Sequence, residues 1–207
     1  LNSPTSKNSK KSNPKSRTRK LTLITDYHPH SGYTDEDIEV HNTCLSKILK
    51  KTPKDNLIVV GADINASLGT RASSTDTETA DDNDLDPLFT DTAVGNFGNT
   101  KRNARGELIL NLLHESNLRA MTTYFQCSAG YDTWIHSKNG GRFQLDHFLV
   151  SSRDCRLVTN ARRRFDGSPS DHLAIELTIN LKTIPRRSGQ CNELNLTQTK
   201  ICNELLR

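Results

Sequence analysis

The sequence predicts an α/β (α+β) sandwich, in which two packed mixed β-sheets are flanked by helices. Short strand patterns alternate with two amphipathic helix patterns, and most strands carry a single apolar face. Such a face needs a second layer against it, whereas a parallel sheet buried on both sides gives continuous apolar runs. These observations favour sheet-on-sheet packing with the helices outside.

Three segments differ in composition. Residues 1–20 carry seven basic residues and no acidic one, and their Ser, Lys, Asn and Pro content predicts a disordered basic leader. This leader is either simply solvated or contacts nucleic acid or serves as a nuclear address. Residues 21–182 form the body, which is long enough for one sizeable core. Residues 183–207 form a polar C-terminal tail.

Charge and cysteine usage exclude several classes of protein. The net charge of +4 comes from the leader, because the other 187 residues carry 21 of the 28 basic residues against 24 acidic ones. No apolar run reaches the roughly 20 residues of a membrane helix, so we expect no membrane partner. The five cysteines form no CxxC pair, which argues against a disulfide framework or a zinc site. They favour an intracellular compartment, nuclear or cytoplasmic, and we expect a monomer.

The first half of the body predicts a strand, a helix and a second strand. Residues 21–27 alternate leucine with polar residues, as in a strand. Thr34 is a suitable N-cap for a helix over 35–51, with acidic residues in its first turn and lysines in its last. The apolar run 57–60 predicts a buried strand, and the acidic residues 70–100 a long solvated loop. The predicted helix buries Ile38, Leu45, Ile48 and Leu49.

The second half predicts a helix followed by strands. Residues 105–117 have helical periodicity, and 118–125 suit a strand. Asn139-Gly140 predicts a hairpin, because both central residues of a type I′ turn need positive φ. Strands are also predicted over 156–165 and 173–181. The predicted helix buries Leu108, Ile109, Leu112 and Leu113.

Polar side chains interrupt apolar strands at three places. Asp63 and Asn65 follow the buried strand, and would point the same way if the backbone stayed extended. Asp146 lies within an apolar run, and Asp171-His172 directly precedes the last strand. Each has an ordinary explanation alone, as a turn cap, an acceptor for backbone amides or a core histidine. Three such breaks in one domain indicate a shared polar site.

These residue types suit a hard, oxygen-binding cation such as Mg²⁺, or Mn²⁺, rather than zinc. Such cations, when held by carboxylates, usually bind phosphate oxygens. A histidine can then stabilise negative charge on the phosphate, while an aspartate orients the attacking water. The residues therefore predict metal-assisted phosphoester hydrolysis. Ser-His-Asp hydrolysis is the competing chemistry, but the sequence has no GxSxG elbow.

Segments throughout residues 21–182 resemble, in order, motifs of the endonuclease/exonuclease/phosphatase superfamily, which includes deoxyribonuclease I. The resemblance is greatest to endonuclease domains of non-LTR retrotransposons and to craniofacial-development-protein-like domains. It implies a deoxyribonuclease I-like fold and a DNA substrate, with RNA, inositol phosphates or sphingomyelin as alternatives within the superfamily. The segments are YHPHSG (27–32), GADINASLG (61–69), GNTKRNARGELILNLLHESNLRAMTTYF (98–125), DTWIHS (132–137), FQLDHFLV (143–150) and SPSDHLAIELTI (168–179).

The resemblance also implies roles for the polar residues at the strand ends. Asp63 would orient or deprotonate the attacking water, and Asn65 would hold the phosphate or that water. His172 would contact the scissile phosphate, while Asp146 fixes its tautomer and charge.

Four further residues take roles from the same resemblance. Asp171 would bind the metal together with Asp63, and Tyr27 would place a phenol near the phosphate or leaving group. Trp134 and Phe125 are either near the substrate surface or ordinary core aromatics.

One family feature is missing from this sequence. The family's main metal ligand is an early glutamate, and only the leader precedes Leu21 here, so the resemblance implies a domain without its first strands. Two hypotheses follow: a Mg²⁺-dependent DNA endonuclease of retrotransposon type, or a catalytically inactive fragment acting, if at all, as a nucleic-acid-binding or interaction module. Six basic residues either contact backbone phosphates or form a solvated surface. They are Lys101, Arg102, Arg105 and Arg162 to Arg164.

Overall fold

The computed structural model describes residues 19–71, 93–164 and 170–180. Most of the predicted leader, the C-terminal tail and residues 72–92 of the predicted acidic loop lie outside these residues. The domain boundaries therefore stay predictions. Neither described helix is long and apolar enough to cross a membrane.

The described chain contains eight strands and two α-helices. In chain order they are β1 (Leu21–Tyr27), α1 (Asp35–Lys51), β2 (Leu57–Asp63), α2 (Ala104–Glu115), β3 (Leu118–Ala120), β4 (Trp134–Ile135), β5 (Arg142–Phe143), β6 (Asp146–Ser151), β7 (Val158–Arg163) and β8 (Ile175–Ile179).

The central sheet has four strands in the order β1-β2-β6-β3. β1 and β2 are parallel, and β6 is antiparallel to both β2 and β3. The carboxyl ends of β1 and β2 therefore meet the amino end of β6 at one edge. There Asp63 pairs in register with Tyr27 on one side and Asp146 on the other.

Core residues lie on both faces of this sheet. Val60 and Leu149 pack with α1 and α2 on one face, in a cluster that includes Leu113. The alternate residues Val59 and Val150 pack toward the hairpin of β7 and β8 on the other. The predicted α/β class with a mixed sheet and flanking helices is confirmed, but β2 carries two apolar faces rather than one.

The first helix is confirmed over its predicted range. The Thr34 hydroxyl accepts the Asp37 amide at 3.2 Å, and the Asp37 carboxylate accepts the Thr34 amide at 3.0 Å. This capping box satisfies two backbone donors at the helix start. Ile38 and Leu45 are buried, while Ile48 and Leu49 are partly buried against the core.

Two predictions around α2 are wrong in detail. Leu108 is 43% exposed, whereas Leu110 is buried. The buried stripe runs through positions 106, 109, 110 and 113, the spacing of one helix face, and Leu108 falls beside it. The strand predicted over 118–125 ends at Ala120, because Met121–Thr123 turns into a 3₁₀ helix.

The predicted hairpin forms, but with a different turn. Gly140 has a φ of 68°, and Asn139 is not among the described non-glycine residues with positive φ. The His136 amide donates to the Gly141 carbonyl at 2.7 Å, so four residues separate the closing pair. The loop is therefore longer than a type I′ turn, and it joins β4 to β5.

A buried carboxylate joins the chain before β1 to the region after β6. Asp154 is 4% exposed and accepts Arg19 Nη2 at 2.7 Å and Arg153 Nε at 3.1 Å. Burial raises the pKa of Asp154, but the two arginine hydrogen bonds outweigh burial and hold it below the usual value. The stabilisation is thus present above the unfolded-state pKa and is lost as pH falls through the folded-state pKa.

We expect Asp154→Asn to lower the free energy of unfolding at pH 7 by about 1–2 kcal/mol, because a charge-assisted pair is lost. Urea denaturation of wild type and variant at several pH values from 7 to 3 measures this difference in the free energy of unfolding. The difference from wild type should shrink below about pH 4, where the unfolded carboxyl protonates. A deficit that stays constant with pH would contradict this assignment.

Candidate active site

Two carboxylates face each other across neighbouring strands. Asp63 is the last residue of β2, Asp146 is the first residue of β6, and the two are register partners. The Ile64 amide donates to the Leu145 carbonyl at 2.9 Å, which extends the pairing just beyond both residues. The sheet register therefore fixes the spacing of these carboxylates.

The segment 171–173 delivers a histidine to the same edge. The Ile135 amide donates to the Asp171 carbonyl at 3.0 Å, and the Leu173 amide to the Thr133 carbonyl at 2.7 Å. His172 lies between these bonds and forms an antiparallel bridge with Trp134. A short strand-like contact with β4 thus positions the imidazole.

The imidazole of His172 lies between the two carboxylates. Its Nδ1 is 3.0 Å from Asp146 Oδ2 and its Nε2 is 3.9 Å from Asp63 Oδ2. The His172 side chain is 36% exposed, against 12% for Asp63 and 19% for Asp146. One ligand atom from each of the three residues lies within 4.8 Å of the others, so this group could hold a metal ion.

Burial sets the electrostatics of Asp63. Burial raises the pKa of this carboxyl above its usual value, and the neighbouring charge of Asp146 raises it further. The Asn65 amide, His172 and His28 act in the opposite direction but do not reverse the shift. A cation at this edge would offset the repulsion between the two carboxylates.

An extended backbone would make the side chains of Asn65 and Asp63 point the same way, but they do not. Its φ is 48°, so the chain turns sharply after Ile64. The Asn65 amide donates to Asp63 Oδ1 at 3.1 Å, and its side chain donates to the His28 carbonyl at 2.8 Å. Asn65 thus holds the Asp63 turn against the end of β1, while its role toward phosphate or water stays a prediction.

Thr133 supports the site directly, although no sequence pattern predicts a role for it. Thr133 is 1% exposed, and its hydroxyl accepts the amides of Leu145 and Asp146, each at 2.9 Å. It therefore fixes the start of β6, where Asp146 enters the site. The only sequence signal is its place in the DTWIHS segment.

We expect Thr133→Val to lower the free energy of unfolding by about 1–3 kcal/mol, because the amides of Leu145 and Asp146 lose their acceptor while the side-chain shape is kept. Equilibrium urea unfolding measures this. Thr159→Val on the exposed side of β7 is the matched control. Equal stability of wild type and Thr133→Val would rule out the anchoring role.

The remaining predicted site residues do not join the cluster. Asp171 Oδ2 accepts Trp134 Nε1 at 2.9 Å, and Asp171 is not in the group whose ligand atoms converge. The ring of Trp134 is 6.3 Å from that of His172. Tyr27 is 64% exposed at the same sheet edge, whereas Phe125 packs against the core. The catalytic, metal and substrate roles of Asp171, Trp134 and Tyr27 stay predictions.

Five of the six candidate phosphate-binding residues have partners within the chain. Arg105 donates to the carbonyls of Pro29, His30 and Tyr33, and so attaches α2 to the loop after β1. Two others also donate hydrogen bonds to carbonyls: Arg102 to that of Leu68, and Arg163 to those of Ala129 and Asp132. The last two, Arg162 and Arg164, form ion pairs with Glu176.

Together, the fold and the cluster define an α/β protein with two carboxylates and a histidine at one edge of its central sheet. Among solved structures, the chain is similar to the endonuclease domain of TRAS1, a telomere-specific non-LTR retrotransposon, with 18% identity and a TM-score of 0.47. It is also similar to the 3′-5′ exonuclease NExo from Neisseria meningitidis, with 14% identity and a TM-score of 0.45. A structure of the 3′ phosphatase NExo from Neisseria bound to product DNA hairpin has 16% identity and a TM-score of 0.45.

The similarity covers part of each molecule. It includes 75% of this chain for TRAS1 and 70% for both NExo structures, but only 56%, 54% and 53% of the respective solved chains. This chain therefore spans a little over half the length of these neighbours. No model of a protein family matches the sequence, and no curated protein matches it.

Proposed function

We propose that the chain is a metal-dependent phosphodiester hydrolase, a DNA endonuclease of the retrotransposon type. One observation carries the proposal: the His172 imidazole lies between the carboxylates of Asp146 and Asp63 at an accessible sheet edge. The narrower assignment to DNA and to retrotransposon endonucleases is supported by the order of the sequence motifs.

Asp63 acts on the attacking water in this proposal. Because burial raises the pKa of its carboxyl, Asp63 is a stronger base than an exposed aspartate. It accepts a proton from water as the oxygen attacks phosphorus, and the bond to the leaving oxygen breaks. The Asn65 amide at 3.1 Å keeps the carboxylate oriented for that transfer.

His172 stabilises the negative charge that develops on phosphate. Asp146 accepts His172 Nδ1–H at 3.0 Å, which leaves Nε2 as the ring atom that faces Asp63 and the site. A carboxylate in this position fixes the orientation of the imidazole. Asp146 is thus a positioning residue for His172.

The donor set also fits a divalent cation. Oxygen ligands suit Mg²⁺ or Mn²⁺, and the converging carboxylates of Asp63 and Asp146 would hold such an ion, with Asp171 as the further predicted ligand. When bound, the cation would neutralise charge on the phosphate.

Supercoiled plasmid provides the test. We expect nicking with Mg²⁺, its loss with excess EDTA, and its recovery when Mg²⁺ is restored in excess. A matched RNA in a second reaction distinguishes the two nucleic acids. If the chain binds plasmid without cutting it in Mg²⁺ or Mn²⁺, the proposal fails and the inactive binding module is the better account.

A further inference from the structure

A second cluster of ligating side chains lies next to the candidate active site. Asp26 is in β1, His28 directly follows β1, and His41 is in α1. Asp26 Oδ2 is 2.7 Å from His28 Nδ1, and Asp26 Oδ1 is 2.8 Å from His41 Nε2. The two imidazole centroids are 4.3 Å apart, so both rings converge on one carboxylate.

This carboxylate is buried. The Asp26 side chain has no exposed area, and each of its two oxygens faces an imidazole nitrogen. A buried carboxylate needs partners at both oxygens, and such a partner is either an N–H donor or a metal ion.

The second nitrogen of His28 has an oxygen partner of its own. His28 Nε2 is 2.7 Å from Asn42 Oδ1, so with this amide orientation Nε2–H donates to the oxygen. Nδ1 is then the ring nitrogen that can bind a metal ion. A metal-binding histidine commonly donates its other N–H to an oxygen in this manner.

We propose that Asp26, His28 and His41 form a second divalent-metal site, of the class that binds zinc. Two imidazole nitrogens and one carboxylate oxygen are a common three-ligand set for zinc, with water in the fourth position. The His41 side chain is 17% exposed, which gives the ion a route to solvent. The site differs in chemistry from the cluster of Asp63, Asp146 and His172, which has two carboxylates and one imidazole.

A metal there would join β1 to α1 beside the active-site turn. The His28 amide donates to the Asp63 carbonyl at 2.8 Å, and the His28 carbonyl accepts the Asn65 side chain at 2.8 Å. Fixing the His28 ring would thus hold the backbone that supports Asp63 and Asn65. The site binds metal independently of phosphodiester hydrolysis.

The test measures zinc binding by competition with a chromogenic chelator, on the full chain after treatment with EDTA. We expect wild type to bind zinc tightly. The affinity for zinc should be at least tenfold lower in His41→Gln and in Asp26→Asn. His114→Gln, at an exposed position of α2, and His172→Gln should keep the wild-type affinity. X-ray absorption of the zinc-loaded chain should show nitrogen and oxygen ligands at about 2.0–2.1 Å.

Circular dichroism establishes that the variants are folded. His41→Gln is the decisive variant, because the His41 side chain is not fully buried and its replacement should leave the fold intact. Three results would overturn the proposal: no zinc binding by wild type, unchanged affinity in folded His41→Gln, or loss of zinc in His172→Gln. The first would assign the cluster to a proton-bridged network, and the last would assign the zinc to the active-site carboxylates.

Discussion

Replacing Asp63 with asparagine, or His172 with alanine, should reduce plasmid nicking by about 100- to 10,000-fold, the range for loss of a general base or a charge-stabilising group. Asp63→Asn keeps the side-chain size but removes the base. His172→Ala removes the imidazole that lies 3.0 Å from Asp146 and 3.9 Å from Asp63. Initial nicking rates at saturating Mg²⁺ measure both losses.

The matched controls are Asp35→Asn and His114→Ala, which make the same changes at exposed positions of α1 and α2. Both should nick at the wild-type rate. Circular dichroism and urea unfolding should show that the site variants are folded, because Asp63 and His172 lie at the sheet edge and not in the core clusters. Nicking that persists in either folded site variant would mean that another group, or a contaminating nuclease, performs the reaction.

Gly106→Ala should lower the free energy of unfolding by about 3 kcal/mol or more, since overpacking against a backbone cannot relax cheaply. A methyl group on Gly106 would overlap the Ser67 carbonyl oxygen and lie 2.9 Å from the carbonyl carbon. Alanine gains about 1 kcal/mol of helix propensity over glycine, so the steric cost exceeds that gain. The clash would push the 64–68 turn away from α2 and disturb Asn65 as well as stability.

Gly61→Ala in β2 is the matched control. A methyl group there meets only the Phe148 ring at 3.6 Å, which is ordinary contact. Thermal or urea unfolding of the two variants should separate them clearly. Equal stabilities would show that the turn after Asp63 does not approach α2 as closely as described.

The positions of the site carboxylates follow from the sequence to a large extent. Asp63 and Asp146 interrupt apolar runs, and the burial of Leu57–Val60 predicts a central strand. Once β2 and β6 pair in register, these two interruptions meet without any further information. The position of His172 depends on one more contact, the bridge to Trp134, and the local sequence pattern does not specify that bridge.

Other features depend on contacts between distant segments. The chain leaves β3 at Ala120, where its amide donates to the Ala93 carbonyl at 2.8 Å, and Thr123 Oγ1 accepts the Gly95 amide at 2.7 Å. Those partners lie more than 20 residues away, so the apolar run alone suggests a longer strand. The positive φ of Asn65 likewise reflects its bond to the His28 carbonyl.

The cluster of Asp26, His28 and His41 has no local sequence signature. Asp26 is in β1 and His28 directly follows it, while His41 lies 13 residues after His28, in a helix that packs on one face of the sheet. The cysteine pattern argues against zinc, but it says nothing about histidine and carboxylate ligands brought together by packing. Only the placement of α1 against β1 reveals the convergence.

A double-mutant cycle on plasmid nicking tests most directly whether Asp146 and His172 act as one catalytic unit. If Asp146 works through His172, then Asp146→Asn should slow wild type severely but slow His172→Ala by less than about threefold, because residues acting as a unit are non-additive. A double variant whose loss equals the product of the two single losses would contradict a shared site.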